Sequence, residues 1–299
     1  MIDLHVHSTA SDGFCSPLEI VDMALDIKLE ALALTDHDAI AGVEELKKAA
    51  KGKNIEIING AELSVYYPDT DMEVIALNMP DKNMKEFKKF QEEEFIRRKR
   101  VTDKRLSILQ GWGYDISYED VAFDEKGNER MQIRRPHFVD VLLKKGYIKT
   151  TGEAYKTIFA KGGGSYVENR PKDVKDVIRF IKDNGGVAIL AHPVHTKKVD
   201  QEIFDLFVEL KGYGLDGVEV FHSSHPKDLR QKYLEMIKEL GMITAGGSDF
   251  HGGTAHPENK LGTGKNNNLN IPYMVLDEIL NFRTKGISAN YYSELEKYL

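Results

Sequence analysis

Two histidines near the start of the chain have the spacing of a metal-binding pair. His5 and His7 lie two residues apart in the run 2–7, whose alternating pattern predicts a β-strand. Side chains at that spacing project from the same face of a strand, about 6–7 Å apart at Cβ, so the two rings can hold one metal ion. By itself the pair is also compatible with a purely structural role, and both interpretations stay open at this point.

Other side chains that can bind metal lie at the ends of further predicted strands. Apolar runs that predict buried strands lie at residues 32–35, 55–58, 73–77, 187–192, 217–222 and 242–246. The candidate ligands at the strand ends, or just beyond them, are His5, His7, Asp12, His37, Glu62, Glu73, His192, Asp249 and His251. In a parallel barrel the carboxyl ends of the strands share one rim, so these side chains are expected to converge there. Imidazole and carboxylate ligands without thiolate suit Mn²⁺, Zn²⁺ or iron.

Helical patterns alternate with these strands and predict parallel βα units. The predicted helices begin at Ser16-Pro17 and continue at 42–50, 171–184, 202–210 and 226–240. The segment 84–170 breaks the alternation with two long amphipathic stretches, at 84–112 and 136–145, and no convincing strand pair. We therefore predict an α/β barrel formed by residues 1–83 and 171–299, with a helical insertion at 84–170.

Composition and charge exclude several classes of protein. A chain of 299 residues with 41% hydrophobic and 30% charged residues is neither disordered nor collagen-like. It has no apolar run long enough for a membrane span and no secretion signal, and its one cysteine, Cys15, excludes an internal disulfide, so a reducing cytoplasm is the expected location. The net charge of −7 is unevenly distributed, because 84–170 holds 19 basic against 14 acidic residues and the remainder 22 against 34. This division suits cations in the body and an anionic substrate under the insertion.

Five motifs together resemble the PHP (polymerase and histidinol phosphatase) phosphoesterases. They are His5-x-His7-Ser8 with Asp12-Gly13, Leu34-Thr35-Asp36-His37-Asp38, Gly60-Ala61-Glu62-Leu63, Ala191-His192-Pro193 and Gly247-Ser248-Asp249-Phe250-His251. The motifs are specific as a set, although none is specific singly, and they span both ends of the chain. The resemblance implies a distorted (β/α)7 barrel with a trinuclear metal centre at the rim.

The resemblance also implies which residues hold each ion. His5, His7, Glu62 and Asp249 would hold the first ion, Glu62 would bridge to a second shared with His192, and Asp12, His37 and His251 would hold a third. Members of the family usually have a histidine after the fourth strand, where this chain has Glu73. Glu73 is either an oxygen ligand, which favours Mn²⁺ or Mg²⁺, or a solvated charge at a strand edge. We accordingly expect two or three divalent ions.

Such a centre predicts hydrolysis of phosphate esters without a protein nucleophile. Clustered divalent ions lower the pKa of a bridging water, so that hydroxide can attack, and they neutralise phosphoryl oxygens. A general acid is expected to protonate the leaving oxygen. His222 at a strand end and His195, three residues after His192, are the candidates for this catalytic role, and each is equally well explained as a polar histidine of the rim.

The insertion is predicted to bind the substrate through arginines. Arginine binds phosphate with two hydrogen bonds, so Arg135, His137 and Arg170 are candidate substrate-binding residues for a second phosphate. The run 97–100 is also basic, but it is equally typical of a solvated helix face. The sequence Arg135-Pro136-His137 resembles the PHP subgroup that acts on nucleoside 3′,5′-bisphosphates and on 5′ ends of short RNA. Tyr166 or Phe138 could stack on a base.

Three functional hypotheses follow from the sequence. The first is a metal-dependent phosphoesterase acting on a small phosphorylated substrate, either a nucleoside 3′,5′-bisphosphate or the 5′ end of short RNA. The second is a phosphatase of small metabolites, of the histidinol-phosphate type, which would not need the basic insertion. The third is a non-catalytic nucleotide-binding module, which loss of several ligand positions would indicate. No membrane and no stable protein partner are expected.

Overall fold

Seven strands lie side by side in chain order and form one sheet. They are β1 (Ile2–Val6), β2 (Ala31–Leu34), β3 (Glu56–Tyr67), β4 (Thr70–Leu77), β5 (Val187–Leu190), β6 (Gly217–His222) and β7 (Ile243–Gly247). The computed structural model describes residues 1–124, 127–160, 164–165, 167, 170–253 and 258–299. Every residue of β1, β2, β5, β6 and β7 is buried, as expected of strands covered on both faces.

The sheet curls until its first and last strands meet. The amide of Asp249 donates to the carbonyl of His5, and the amide of His7 donates to the carbonyl of Phe250, both at 2.9 Å. Gly247 permits this close approach, because a Cβ at this position would lie 2.2 Å from the Cβ of His5. The predicted distorted (β/α)7 barrel is therefore confirmed as a nearly closed seven-stranded sheet with helices around it.

One strand runs in the direction opposite to the prediction. β4 pairs antiparallel with both β3 and β5, whereas the other neighbouring strands pair in parallel. The prediction of parallel units was wrong here because β3 continues to Tyr67 and is joined to β4 by a tight turn, with Asp69 at a φ of 61°. A connection this short can only join antiparallel strands. Consequently the beginning of β4, and not its end, lies at the rim.

Helices cover the outside of the sheet and form the segment between β4 and β5. They are α1 (Pro17–Asp26), α2 (Ala41–Ala50), α3 (Met84–Gly111), α4 (Tyr118–Ala122), α5 (Arg135–Lys144), α6 (Thr151–Lys156), α7 (Val174–Asp183), α8 (Asp200–Gly212), α9 (Lys227–Leu240), α10 (Met274–Lys285) and α11 (Tyr291–Leu295). The predicted start of α1 is confirmed, since Ser16 caps it in a capping box with Glu19. Four of these helices, α4, α6, α10 and α11, were not predicted from the sequence. No helix within the described ranges is long and apolar enough to cross a membrane.

The helices α3 to α6 contain a hydrophobic cluster of their own. Its buried members include Leu109, Val121, Phe138, Leu142 and Phe159. All members of the cluster lie between residues 106 and 159, whereas the main core combines the sheet with α7 to α11 and with Phe87 and Phe90 at the beginning of α3. Phe138 is fully buried in this cluster, so its ring is not available to stack on a base without rearrangement. The limits 84 and 170 of the insertion remain a prediction.

The contact between Gly247 and His5 generates a stability prediction. Gly247→Ala should lower the free energy of unfolding by at least about 3 kcal/mol, because the new methyl group overlaps the backbone of β1 and cannot move away. Urea denaturation followed by circular dichroism measures the change. The matched control is Gly212→Ala near the end of α8, where a Cβ meets nothing within 4 Å. Equal stabilities of the two variants would contradict the close packing of β7 against β1.

Candidate metal centre

The nine side chains that the sequence predicts as metal ligands meet at one rim of the barrel. His5 lies in β1, His7 and Asp12 follow it, His37 follows β2, Glu62 lies in β3, Glu73 in β4, His192 follows β5, and Asp249 and His251 follow β7. Three residues that carry polar side chains here have left-handed backbones: Asp38 (φ 51°), His192 (φ 22°) and Asp249 (φ 55°). Such conformations are unfavourable for residues other than glycine and accumulate at functional sites.

The ligand atoms form four overlapping groups. Within each group the nitrogen and oxygen atoms lie within 4.8 Å of one another, and the groups are His7-Asp12-His37-His251, His5-Glu62-His192, His5-His222-Asp249 and His37-Glu62-Glu73. His5 joins two of these groups, and so do His37 and Glu62. The rim therefore offers several adjacent positions for cations rather than one isolated position.

Glu62 lies at the centre of the cluster. Its Oε1 is 2.8 Å from Nε2 of His192 and 3.4 Å from Nε2 of His5, while its Oε2 is 2.9 Å from Nδ1 of His37 and 3.5 Å from Nε2 of His7. The carboxylate is completely buried. Two oxygens that face different imidazoles have the arrangement of a carboxylate that bridges two ions.

Glu73 lies inside the cluster and not at a solvated strand edge. Because β4 is antiparallel, this residue near its beginning reaches the rim, where Oε1 is 3.1 Å from Nδ1 of His37 and Oε2 is 3.5 Å from Nε2 of His192. Arg134 approaches the same carboxylate, with Nη2 3.6 Å from Oε1. An oxygen atom thus occupies the position at which the resemblance to the PHP family implies a histidine nitrogen.

The residues at the rim fit divalent cations. Asp12 Oδ1, His37 Nδ1 and Glu62 Oε2 are buried, and although Nδ1 of His37 lies 2.9 Å from Oε2 of Glu62, none of these atoms makes a well-aligned hydrogen bond among the described residues. Nε2 of His5 and Nε2 of His7 face each other at 3.1 Å. Buried lone pairs without donors are unfavourable, and a shared cation would satisfy them. The nitrogen and oxygen donors suit Mn²⁺, Zn²⁺ or iron, and the donor set does not distinguish between these ions.

The electrostatics of the cluster favour any cation, a proton included. Although burial opposes an imidazolium, the carboxylates of Glu219, Glu62 and Asp249 raise the pKa of His5 well above its usual value. Burial opposes the charge on His192 too, but its hydrogen bond to Glu62 raises the pKa of this ring to about 9. Against the effect of burial, neighbouring histidines hold the pKa values of Glu62 and Asp249 well below the usual range. The carboxylates are therefore ionised at neutral pH.

Glu219, which was not predicted from the sequence as a site residue, orients two of the candidate ligands. Its Oε1 lies 3.0 Å from Nδ1 of His5, and its Oε2 accepts the backbone N–H of His192 at 2.8 Å. A carboxylate that accepts the proton of Nδ1 turns the lone pair of Nε2 towards the cluster, which is the usual second layer of a metal site. The signal in the sequence was a single acidic residue inside the otherwise apolar strand β6.

A second missed group closes the side of the cluster that faces α3. Asp38 accepts hydrogen bonds from Nε of Arg98 at 3.1 Å and from the amide of Ser64 at 2.7 Å. Arg134 lies between Asp12 and Asp38, with Nε 3.3 Å from the first carboxylate and Nη1 3.6 Å from the second. Burial would raise the pKa of Asp38, but the Arg98 and Arg134 charges lower it to about 2. Both arginines are thus neutralised by carboxylates of the rim.

The two candidate general acids occupy different environments. His222 is buried with Nε2 3.5 Å from Oδ2 of Asp249, and its Nδ1 accepts the amide of Ser224, so the neutral ring carries its proton on Nε2. His195 is exposed, with its ring centroid 4.4 Å from that of His192. Partial desolvation of the ring against the rim, and the positive charges of His192 and His222 when these are protonated, lower the pKa of His195 to about 4.

The structure separates the three residues predicted to bind substrate. Arg135 is exposed at the start of α5. His137 is 2% exposed, and its Nδ1 accepts the amide of Arg134 at 3.1 Å, so it positions the backbone that carries Arg134. Arg170 stacks on Tyr66, 3.9 Å from the ring centroid and about 13 Å along β3 from Glu62. Tyr166 lies outside the described residues.

The position of Glu219 generates a prediction about metal affinity. Glu219→Gln should weaken Mn²⁺ binding by about 10-fold to 100-fold, because the carboxylate that fixes the tautomer of His5 is replaced by an amide that does not fix it. Isothermal titration calorimetry on metal-depleted protein measures the affinity. Glu278→Gln is the matched control, since Glu278 is also buried but binds Ser288 far from the rim. Unchanged affinity in Glu219→Gln would contradict the positioning role.

The raised pKa values of the histidines predict that metal binding depends on pH. Without metal, His192 (pKa about 9) is protonated at neutral pH, and an imidazolium has no lone pair for a metal. The affinity for Mn²⁺ should therefore increase as the pH rises towards 9, and binding at pH 7 should release protons. Calorimetry in two buffers of different ionisation enthalpy counts the released protons. Binding without proton release would show that the titrating imidazoles are not ligands.

Comparison with known proteins agrees with this geometry. The PHP domain family matches residues 3–185 of the chain. The chain is 33% identical over 252 residues to a 5′-3′ exoribonuclease of Haemophilus influenzae, covering 83% of this chain and 89% of that protein. It is 28% identical over 255 residues to a 3′,5′-nucleoside bisphosphate phosphatase of Chromobacterium violaceum, covering 84% of this chain and 87% of that one.

A solved structure extends the similarity to the whole fold. A Bifidobacterium adolescentis protein assigned as a metal-dependent phosphoesterase superposes with a TM-score of 0.80 and 26% sequence identity, over 96% of this chain and 97% of that one. The similarity therefore includes the helices α3 to α6 as well as the barrel. The chain belongs to the PHP family and, like the phosphatase and the exoribonuclease to which it is similar, it is a hydrolase that acts on phosphate ester bonds.

Proposed function

We propose that this hydrolase removes phosphate from nucleoside 3′,5′-bisphosphates or acts at the 5′ ends of short RNA. The observation that carries the proposal is the start of α5, where Nε of Arg134 lies 3.3 Å from the candidate metal ligand Asp12, and where the next residue, Arg135, is exposed and has no carboxylate partner among the described residues. Cations beside a metal centre suit a substrate with two phosphates. Relatives named as a 5′-3′ exoribonuclease and as a 3′,5′-nucleoside bisphosphate phosphatase support the same substrate class.

In this proposal the rim holds the ions and the insertion holds the rest of the substrate. His5, His7, Glu62 and Asp249 are the ligands of the first position, with Glu62 and Glu73 reaching a second beside His192. Asp12, His37 and His251 are the ligands of a third position. Bound divalent ions supply charge neutralisation of phosphoryl oxygens and lower the pKa of coordinated water. Arg135, and more distantly Arg170, contribute positive charge along the insertion, residues 84–170.

Proton transfer to the leaving oxygen is assigned to a histidine at the mouth of the site. His195 is the better placed of the two candidates, because it is exposed and stands beside the rim. Its pKa of about 4 is low for an acid at neutral pH, but a phosphate dianion next to the ring would raise it. His222 is buried and its Nε2–H points towards Asp249, so it serves better to orient that carboxylate.

Kinetics on three substrates test the proposal. The Mn²⁺-loaded protein should hydrolyse adenosine 3′,5′-bisphosphate or a short 5′-phosphorylated RNA much faster than histidinol phosphate, because only the first two place a second phosphate under the insertion. Release of inorganic phosphate and of nucleotide is measured in parallel assays. Turnover of histidinol phosphate alone would exclude the nucleotide proposal and favour a phosphatase of small metabolites.

A ligand variant controls for contaminating activity. In the same assays Asp249→Ala should lose more than about 100-fold in kcat/KM and also lose bound metal, since even residues of the second layer contribute that much. Asp277→Ala, an exposed carboxylate on α10, should keep both. Normal turnover in Asp249→Ala would mean that the cluster is not the active site.

A further inference from the structure

Arg105 on α3 is a buried cation without an anion. Its side chain is 8% exposed, and its Nε is buried with no hydrogen-bond partner among the described residues. Within the described ranges, no carboxylate forms an ion pair with Arg105. Its guanidinium lies over the rings of Phe138 and Phe159, 5.4 Å and 5.8 Å from their centroids. Burial without a counter-ion is expensive for a charged group unless a partner arrives from outside.

The neighbouring arginines differ from Arg105 because carboxylates already neutralise them. Arg98 is paired with Asp38, and Arg134 lies against Asp12 and Asp38. Arg98 and Arg105 are seven residues apart and therefore lie on the same face of α3, about 10 Å from each other along the helix. The face that reaches the metal rim at Arg98 thus continues to an unpaired cation at Arg105.

Arg105 belongs to a positively charged neighbourhood next to the metal centre. Burial and the charges of Arg135 and Arg98 lower the pKa of Arg105 to about 10. Burial raises the pKa of the nearby Tyr155 hydroxyl, while Arg135 opposes this effect and Asp12 reinforces it. Tyr155 therefore lies within electrostatic range of both a candidate metal ligand and the unpaired arginines. Arg135 likewise has no carboxylate partner in the described ranges.

We propose that Arg105, together with Arg135, binds the second phosphate of the substrate while the first phosphate lies at the metal rim. The inference rests on the proposed function and adds a specificity-determining residue to it. The phosphate dianion would be the counter-ion that Arg105 lacks in the protein alone. The Phe138 and Phe159 rings hold the guanidinium plane in position for a bidentate contact with the phosphate. A substrate with a single phosphate would leave the cation unpaired.

The test compares Arg105→Met with wild type on substrates with one and two phosphates. The variant should raise KM for adenosine 3′,5′-bisphosphate at least about tenfold, as expected for one lost charge-assisted contact. KM for the corresponding monophosphates, and kcat, should change less than about threefold. Lys104→Met, an exposed neighbour on the same helix, should behave as wild type. Arg135→Met should share the selective effect of Arg105→Met.

Thermal unfolding without ligand separates binding from packing. Removal of an unpaired buried charge should leave Tm of Arg105→Met equal to or above that of wild type. A lower Tm, with KM raised equally for substrates with one and two phosphates, would assign Arg105 to the packing of Phe138 and Phe159 and overturn the inference. An unchanged KM for the bisphosphate would overturn it as well.

Direct binding keeps this inference distinct from the proposed function. Titration calorimetry of adenosine 3′,5′-bisphosphate into the Mn²⁺-loaded protein does not require turnover. Tight binding that Arg105→Met weakens, without hydrolysis, would support the phosphate site and reject the proposed reaction. Hydrolysis that does not depend on Arg105 would support the reaction and reject the phosphate site. Absence of both binding and hydrolysis in wild type would reject both.

Discussion

The physical constraint on which this structure depends is the burial of many ionisable groups at one rim of the barrel. Glu62 is completely buried beside four imidazoles, Asp12 is nearly as enclosed, and the Asp249 side chain is 21% exposed. Each group taken alone would be driven to its neutral form by desolvation. Together they remain charged because every carboxylate faces imidazoles, and the lone pairs left over are those that a divalent cation can satisfy.

A second layer of buried carboxylates holds the loops that carry these groups. Asp36 accepts hydrogen bonds from the amide and hydroxyl of Ser8 and from the hydroxyl of Ser11, which orders the loop before Asp12. Asp3 does the same for Ser248, next to Asp249. These hydrogen bonds offset the desolvation of each carboxylate and hold backbone segments in conformations that they would not adopt alone.

The helical segment between β4 and β5 adds positive charge above a negatively charged rim. Arg98 and Arg134 form ion pairs with carboxylates of the barrel. These ion pairs attach α3 and the start of α5 to the edge of the metal cluster. Arg105 and Arg135 have no such partner within the described ranges. The difference between paired and unpaired arginines divides one basic region into a structural part and a part open to an anion.

The type of chemistry could be read from the order of residues, because residue identity sets which atoms can bind a cation and strand periodicity sets which face they occupy. His5-x-His7, the histidines after β2 and β5, and the pair Asp249 and His251 could all be recognised in this way. What the sequence could not determine were contacts across the sheet. In the sequence, Glu219 is a single charge in a mostly apolar strand, and nothing indicates that its carboxylate orients His5. Asp38 is recognisable as part of a motif, but its arginine partners are not.

The roles of Glu73 and of the arginines depend on contacts that form only in the folded chain. Whether Glu73 reaches the rim depends on the direction of β4, which the tight turn at Asp69 reverses and which hydrophobic periodicity does not report. Whether an arginine is free depends on which carboxylates the fold places beside it, and those of Arg98 and Arg134 come from distant parts of the chain. Local patterns specify donors and acceptors, but pairing is a property of the folded molecule.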